Sequence, residues 1–395
     1  MEVASATNHR GRPAPARPRN PAPSRGHPRV ALVHDFLLDL RGAERVFLEL
    51  CAMWPDADIY TTVYNEPGTE GRFAGRQIHT SPLQRLRPSA RTFRLLLPLY
   101  PAATESLDLS GYDLVVSSSS AWAHGVICNG STVHVSYCHN PFRYAWSDHD
   151  ETLARCHSRV VRELLRATFR YWRRWDRNAA RRTHRYVANS RTTQFRLRTY
   201  FGREAEIVHP PVEIGRFTPG PVDRHYVIVS ELMPHKRIDI AVEAFNQLRL
   251  PLIVIGDGPA VRALRRQAGP TVDFVGRLTD EATAQVMQSA RALVMTSIEE
   301  FGIAAVESQA AGRPVIARHG GGALETVIEH VTGCFWSGGP AELARAVLEF
   351  DDAAIDPAAC VASAARFDVS TFRAGIREQV AAAAASVDAR ARVPG

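Results

Sequence analysis

The chain has 395 residues, 45% of them apolar and 23% charged, which is enough for two domains of roughly 150–200 residues with separate cores. Nothing approaches the ~18 consecutive apolar residues that a membrane-spanning helix needs. Six scattered cysteines without a CxxC pair argue against a zinc site or a disulfide scaffold, so a reduced cytoplasm is the expected location. The net charge is +7, and of the 48 basic residues all but Lys236 are arginine.

Residues 1–28 read as a disordered basic arm of Pro, Ala, Ser and Arg, with no apolar stretch of the kind a secretory signal carries. An N-terminal domain is expected over 29–208. It opens with a strand at Arg29–Val33, a glycine-containing turn at Leu40–Glu44 and a helical pattern (Val46, Phe47, Leu50, Cys51), which is the start of a doubly wound α/β unit. Further strands are expected at Ile59–Val63, Asp113–Ser117, Thr132–Tyr137 and Arg185–Ala188. Residues 209–222, rich in proline and glycine, read as a linker.

The alternation restarts over 223–365. Strands fit Tyr226–Ser230, Leu252–Ile255, Val272–Val275, Ala292–Met295 and Val315–Ala317. Helices fit Asp239–Leu248, Ala260–Gln267, Glu281–Ala290 and Gly302–Ala311. Two parallel sheets covered on both faces are expected, facing one cleft, with ligands outside the carboxyl ends of the strands. A helix over 366–386 is expected to return to the N-terminal domain, and 387–395 to form a tail.

Within this frame Thr296–Glu307 is a strand end, a glycine loop and a helix start, a geometry that gathers free backbone N–H groups for an anion. Glu299 lies in the loop. Glu307 lies in the helix, where its carboxylate suits a ribose diol. The plain alternative is a glutamate that complements the helix dipole and a second, solvated one. The turn at Gly256–Pro259 and the triplet Gly320–Gly322 permit close backbone approach, to a ligand or simply within a loop. Lys236 is a compact point charge in a chain that otherwise uses the broad arginine fork, and tight approach to a diphosphate oxygen fits that difference.

Several stretches together resemble retaining glycosyltransferases of family four, with the GT-B fold. In the second half they are Ser230, Leu232, Pro234, Lys236, Arg237 and Asp239; Gly256–Pro259; Phe274–Leu278; Glu299 with Glu307; and Gly320–Gly322 with Glu325. In the first half, Val33–Asp35 with Arg41–Glu44, Tyr112–Ser118, Tyr137–Trp146, Ala188–Ser190 and Pro210–Val212 with Arg216 and Phe217 are similar to a mannosyltransferase-like branch. The resemblance covers about residues 30–380.

It implies that Lys236 holds the diphosphate of a nucleotide-sugar donor, that Glu307 binds the ribose, and that Glu299 with the backbone of Phe301, Gly302 and Ile303 positions the sugar and β-phosphate. Gly42 would let the opposite helix start approach the phosphates, and His139 would contact the sugar near its anomeric carbon. The implied reaction is retaining and metal-independent, with no cofactor beyond the donor itself, and GDP-mannose is favoured over UDP-glucose. Where the family commonly has arginine, this chain has Glu231, so Arg237 is expected to supply the second positive charge. A catalytically weak binding subunit is the alternative reading.

Residues 155–185 hold eleven arginines against Glu163 and Asp176, with an apolar stripe at Val161, Leu165, Phe169, Trp172, Trp175 and Ala179. Such a helix either packs on its own domain with a solvated face or, together with residues 85–100, meets an anionic membrane surface. The second reading suits a lipid-linked or glycan acceptor and a peripheral position on the inner face of the plasma membrane. No nucleic-acid motif accompanies the charge, so nucleic acid is not expected.

Overall fold

The computed structural model describes residues 28–89 and 92–391. All but the last residue of the expected basic arm, and residues 392–395 of the expected tail, lie outside them.

The first sheet has seven parallel strands, β1 (Val30–His34), β2 (Asp58–Thr61), β3 (Ile78–Thr80), β4 (Leu114–Ser119), β5 (Val133–Cys138), β6 (Arg185–Ala188) and β7 (Ala205–Ile207), in the order β3-β2-β1-β4-β5-β6-β7. The second has six, β8 (Tyr226–Val229), β9 (Leu252–Ile255), β10 (Val272–Gly276), β11 (Leu293–Met295), β12 (Val315–Arg318) and β13 (Gly333–Trp336), in the order β10-β9-β8-β11-β12-β13. Both are doubly wound, as the alternating pattern predicts. The central strands are buried on both faces, as a parallel sheet between two helix layers requires, and they begin apolar, although β4 ends in the buried serines Ser117, Ser118 and Ser119.

Strand order reverses beside β1 and β4 in one sheet and beside β8 and β11 in the other, and a crevice opens at the carboxyl ends of such pairs. The segments after β1, β4, β5, β8 and β11 hold the residues of interest. Three strands go unread in the sequence: β3, β7 and β13. Each is a sheet edge of only three or four residues; β3 and β7 show no apolar run, and that of β13 (Cys334–Trp336) is too short to mark a strand.

Two helices stand out from the layers around the sheets. The helix Arg159–Arg182 is started by Ser158, whose hydroxyl accepts from the Val161 N–H. It buries Phe169, Trp172, Trp175 and Ala179 against Trp122, Phe142 and Trp146. Its first turns do not join that core: Val160, Val161 and Leu164 stand in solvent, so the predicted stripe packs only from Leu165 onward. The helix Val369–Ala391 sets Phe372, Ile376 and Ala383 into the core of the first sheet, and Arg373 pairs with Glu49 at 2.7 Å.

Candidate active site

The second-domain half is built on a loop that other loops force into shape. Gly302, at φ +88°, begins the helix Ile303–Ala310. The triplet after β12 presses on the same loop. A Cβ on Gly321 would stand 2.2 Å from the Glu299 carbonyl oxygen, and one on Gly322 2.2 Å from the Phe301 Cα. The close approach that the triple glycine permits is therefore to the Glu299–Phe301 backbone. The Phe301 ring is buried and stacked on His209, which leaves its main chain for the cleft.

Lys236 Nζ pairs with Glu299 Oε2, while the Ser297 hydroxyl donates to the other carboxylate oxygen at 2.5 Å. Thr296 Oγ1 donates to the Lys236 carbonyl at 2.7 Å and so ties the two loops together. Burial pushes the Glu299 carboxyl up, but the adjacent ammonium and the Ser297 hydroxyl hold it below its ordinary value. Glu307 differs. Burial raises it, Arg216 and Arg45 oppose that only in part, and Asp280 adds to it. No hydrogen bond reaches its carboxylate among the described residues. Arg237 does not join this group: its backbone is left-handed, at φ +53°, and its guanidinium is taken by Asp239 at 3.1 Å. The positive charge expected from Arg237 is thus paired with a carboxylate of its own lobe.

The first-domain half meets it directly. Gly42 starts the helix Gly42–Met53, and a Cβ there would stand 3.7 Å from Ile303 Cδ1, so the two helix starts face each other. Glu44 accepts from the Arg41 N–H at 3.0 Å and caps that start. Behind it a buried file of side chains runs from Glu44 to His34 (3.5 Å), from His34 to Ser118 (3.1 Å) and from Ser118 to Nε2 of His139 (2.9 Å). Burial and His34 push the His139 imidazole down to about 3, so it is neutral at pH 7. Asp35 accepts four N–H bonds from Ser120 to Ala123 at 2.5–3.0 Å, which fixes the loop after β4.

Cross-cleft pairs hold the halves together. Arg45 grips Asp280 through two bonds of 2.6 and 2.8 Å. Arg41 reaches Glu231 at 2.8 Å, Arg196 reaches Glu300 at 2.9 Å, and the Arg191 N–H donates to Glu325 at 2.9 Å. Sequence reasoning named none of Arg45, Asp280, Arg196 and Glu300. They are single charges in loops and in the first or last turns of helices, with no spacing that marks a partner in the other domain.

Lys236, Glu299, Gly302, Ile303 and Gly42 thus converge at one cleft, with Glu307 four residues into the helix and His139 at the end of β5. An ammonium and two opposed helix starts can stabilise a diphosphate leaving group, and a carboxylate with its oxygens uncommitted can accept a diol.

Residues 40–216 match the family described as Glycosyltransferase Family 4, and residues 223–351 that described as Glycosyl transferases group 1. The chain is 31% identical over 182 residues to a D-inositol 3-phosphate glycosyltransferase of Jonesia denitrificans, covering 36% of this chain and 42% of the relative. It is 32% identical over 174 residues to a GDP-mannose-dependent alpha-(1-6)-phosphatidylinositol monomannoside mannosyltransferase of Mycobacterium tuberculosis, covering 36% and 45%. The matched stretches therefore span under half the length of these relatives. Among solved structures, Anabaena HepE in complex with UDP-glucose superposes with a TM-score of 0.66 at 20% identity, over 90% of this chain and all of that one. Sucrose-phosphate synthase from Thermosynechococcus elongatus gives 0.66 at 16%, over 89% and 98%. Two matched families in tandem, two doubly wound sheets and one shared cleft lead to a single assignment: the chain belongs to the family-four glycosyltransferases and has the GT-B fold.

Proposed function

We propose that this transferase moves a hexose, mannose from GDP-mannose in the favoured case, to a glycan or lipid-linked acceptor, with retention at the anomeric carbon and without a metal ion. One observation carries the reading: the chain's lone ammonium is paired with Glu299 at the start of the Ile303 helix, opposite the start of the Gly42 helix. Charge on the departing diphosphate would be met by Lys236 and backbone N–H groups. The leaving group itself would take the acceptor's proton on the face it vacates. His139, neutral and held by Ser118, would position the sugar.

A thermal-shift panel of nucleotide sugars tests this, because a ligand that binds only the native state raises its stability. GDP-mannose should give the largest shift and UDP-glucose a smaller one. No shift with any nucleotide sugar would end the proposal. Turnover should persist in EDTA, and the anomeric configuration of the product, read by NMR, should match that of the donor.

A lipid-linked acceptor also gives the arginine-rich helix a use. Arg170, Arg174 and Arg181 are exposed and have no acidic partner among the described residues, while Leu95, Val160 and Leu164 expose apolar surface. Among the described residues no helix is long and apolar enough to cross a membrane. Association would be peripheral, through residues 85–100 and 155–185. Co-sedimentation with anionic vesicles should fall as salt rises, and neutral vesicles should not bind.

A further inference from the structure

Glu231 stands where the family commonly places an arginine beside the lysine, and a bare carboxylate there would repel a diphosphate. The structure shows a charge-reversed arrangement. Arg41, the residue before the Gly42 helix, crosses the cleft, and its Nη1 lies 2.8 Å from Glu231 Oε1 and 3.0 Å from Oε2. Its Nε donates to Asp39 at 3.2 Å. Two carboxylates thus hold two of the three guanidinium nitrogens, and Nη2 has no partner among the described residues. Arg41 also adjoins Gly42, whose packing on Ile303 sets the two helix starts face to face. Arg237 is paired with Asp239 within its own lobe, through Nε and Nη2.

We propose that Arg41, oriented by Glu231 and Asp39, is the second diphosphate ligand and supplies from the opposite domain the charge that an arginine at 231 would supply from the same one. A guanidinium held at two nitrogens loses little freedom when its third takes a phosphate oxygen, and the fork suits that oxygen geometrically. Because Glu231 is neutralised in the pair, its departure from the family pattern does not disable the site. The ligand now comes from the other lobe, so gripping the β-phosphate and closing the cleft become one event.

This rests on a nucleotide-diphosphate donor, and titration calorimetry of the full chain with GDP and GMP separates the two ideas. Arg41→Ala should weaken GDP by about tenfold or more, the size of one charge-assisted bond, and change GMP by less than about twofold. Arg41→Gln should behave the same way and serves if the alanine variant folds poorly. Combining Arg41→Ser with Glu231→Arg should bring GDP back to within about threefold of the parent, an energy gap well under 1 kcal/mol. Unchanged GDP binding in Arg41→Ala overturns the proposal. So does equal loss of GDP and GMP, which would mean that Arg41 acts only through cleft geometry, and so does failure of the double variant to recover. If the parent chain binds neither GDP nor UDP, the donor reading falls and this proposal falls with it.

Discussion

Glu299 and Glu307 are eight residues apart and are driven in opposite directions. The first lies against an ammonium and is held ionised; the second is half-buried, with no hydrogen bond to it among the described residues, and is held up. For Glu307 this fixes the sign of the pH effect. The ionised form accepts two hydroxyls more strongly than the protonated one, so nucleotide affinity should rise as pH climbs through its raised value. Stability of the empty protein should move the other way. A carboxyl raised in the folded state contributes fully below its unfolded value, and that contribution is lost as pH rises through the folded one. Glu307→Gln should flatten the affinity profile and bind nucleotide about tenfold more weakly, as read by calorimetry at several pH values. A sloping profile in the variant would assign the titration to another group. At this scale the sequence was legible where chemistry restricts residue type, as with Lys236 and Glu299. It was not legible for Arg41, because an arginine at a helix start carries no mark of its partner 190 positions away.

Among the elements, the arginine-rich helix hides an acid on its buried side. Asp176 is fully buried among tryptophans and accepts from Trp146 Nε1 at 2.6 Å, and burial pushes its carboxyl up to about 8. Its neighbour His124 is pushed down to about 3 by burial and by Arg182, so burial favours the neutral form of both groups. Asp176 therefore stabilises the fold most at low pH, and that contribution drains away as pH rises from about 4 through 8. Urea titrations should show stability falling on the order of 1 kcal/mol per pH unit within that window. Asp176→Asn should remove the slope and keep the bond from Trp146. A slope unchanged in the variant would show that the carboxyl is already ionised. Helical periodicity predicted this helix from its tryptophans but misjudged its first turns, because spacing alone does not say how far the partner surface extends. The glycine triplet shows a similar limit: its freedom was visible in the sequence, whereas the loop pressed against it was not.

Across the whole molecule, the two sheets were legible because apolar runs and helical repeats alternate twice. The edge strands β3, β7 and β13 were not, since three or four residues are too few to mark a strand. Beside the packed helix Val369–Ala391, the pairs across the cleft are partly exposed, each contributing about 0.2–1 kcal/mol, so they hold the lobes lightly. Asp280→Asn removes the two-bond grip of Arg45 while sparing the groups around Lys236. It should raise donor KM by about twofold to fivefold, leave kcat near the parent value, and enlarge the radius of gyration seen by X-ray scattering without ligand. Equal dimensions with and without the pair would mean that other contacts hold the lobes.

The rarity of lysine has a practical corollary. An amine-selective acylating reagent finds one side-chain target in the entire sequence, Lys236, whose Nζ is paired with Glu299 and partly shielded. Because Nζ is shielded in its pair with Glu299, labelling should be slow in the empty protein and slower still with donor bound. Mass spectrometry of a single modified peptide would then report site occupancy directly, with no spectroscopic probe and no engineered handle.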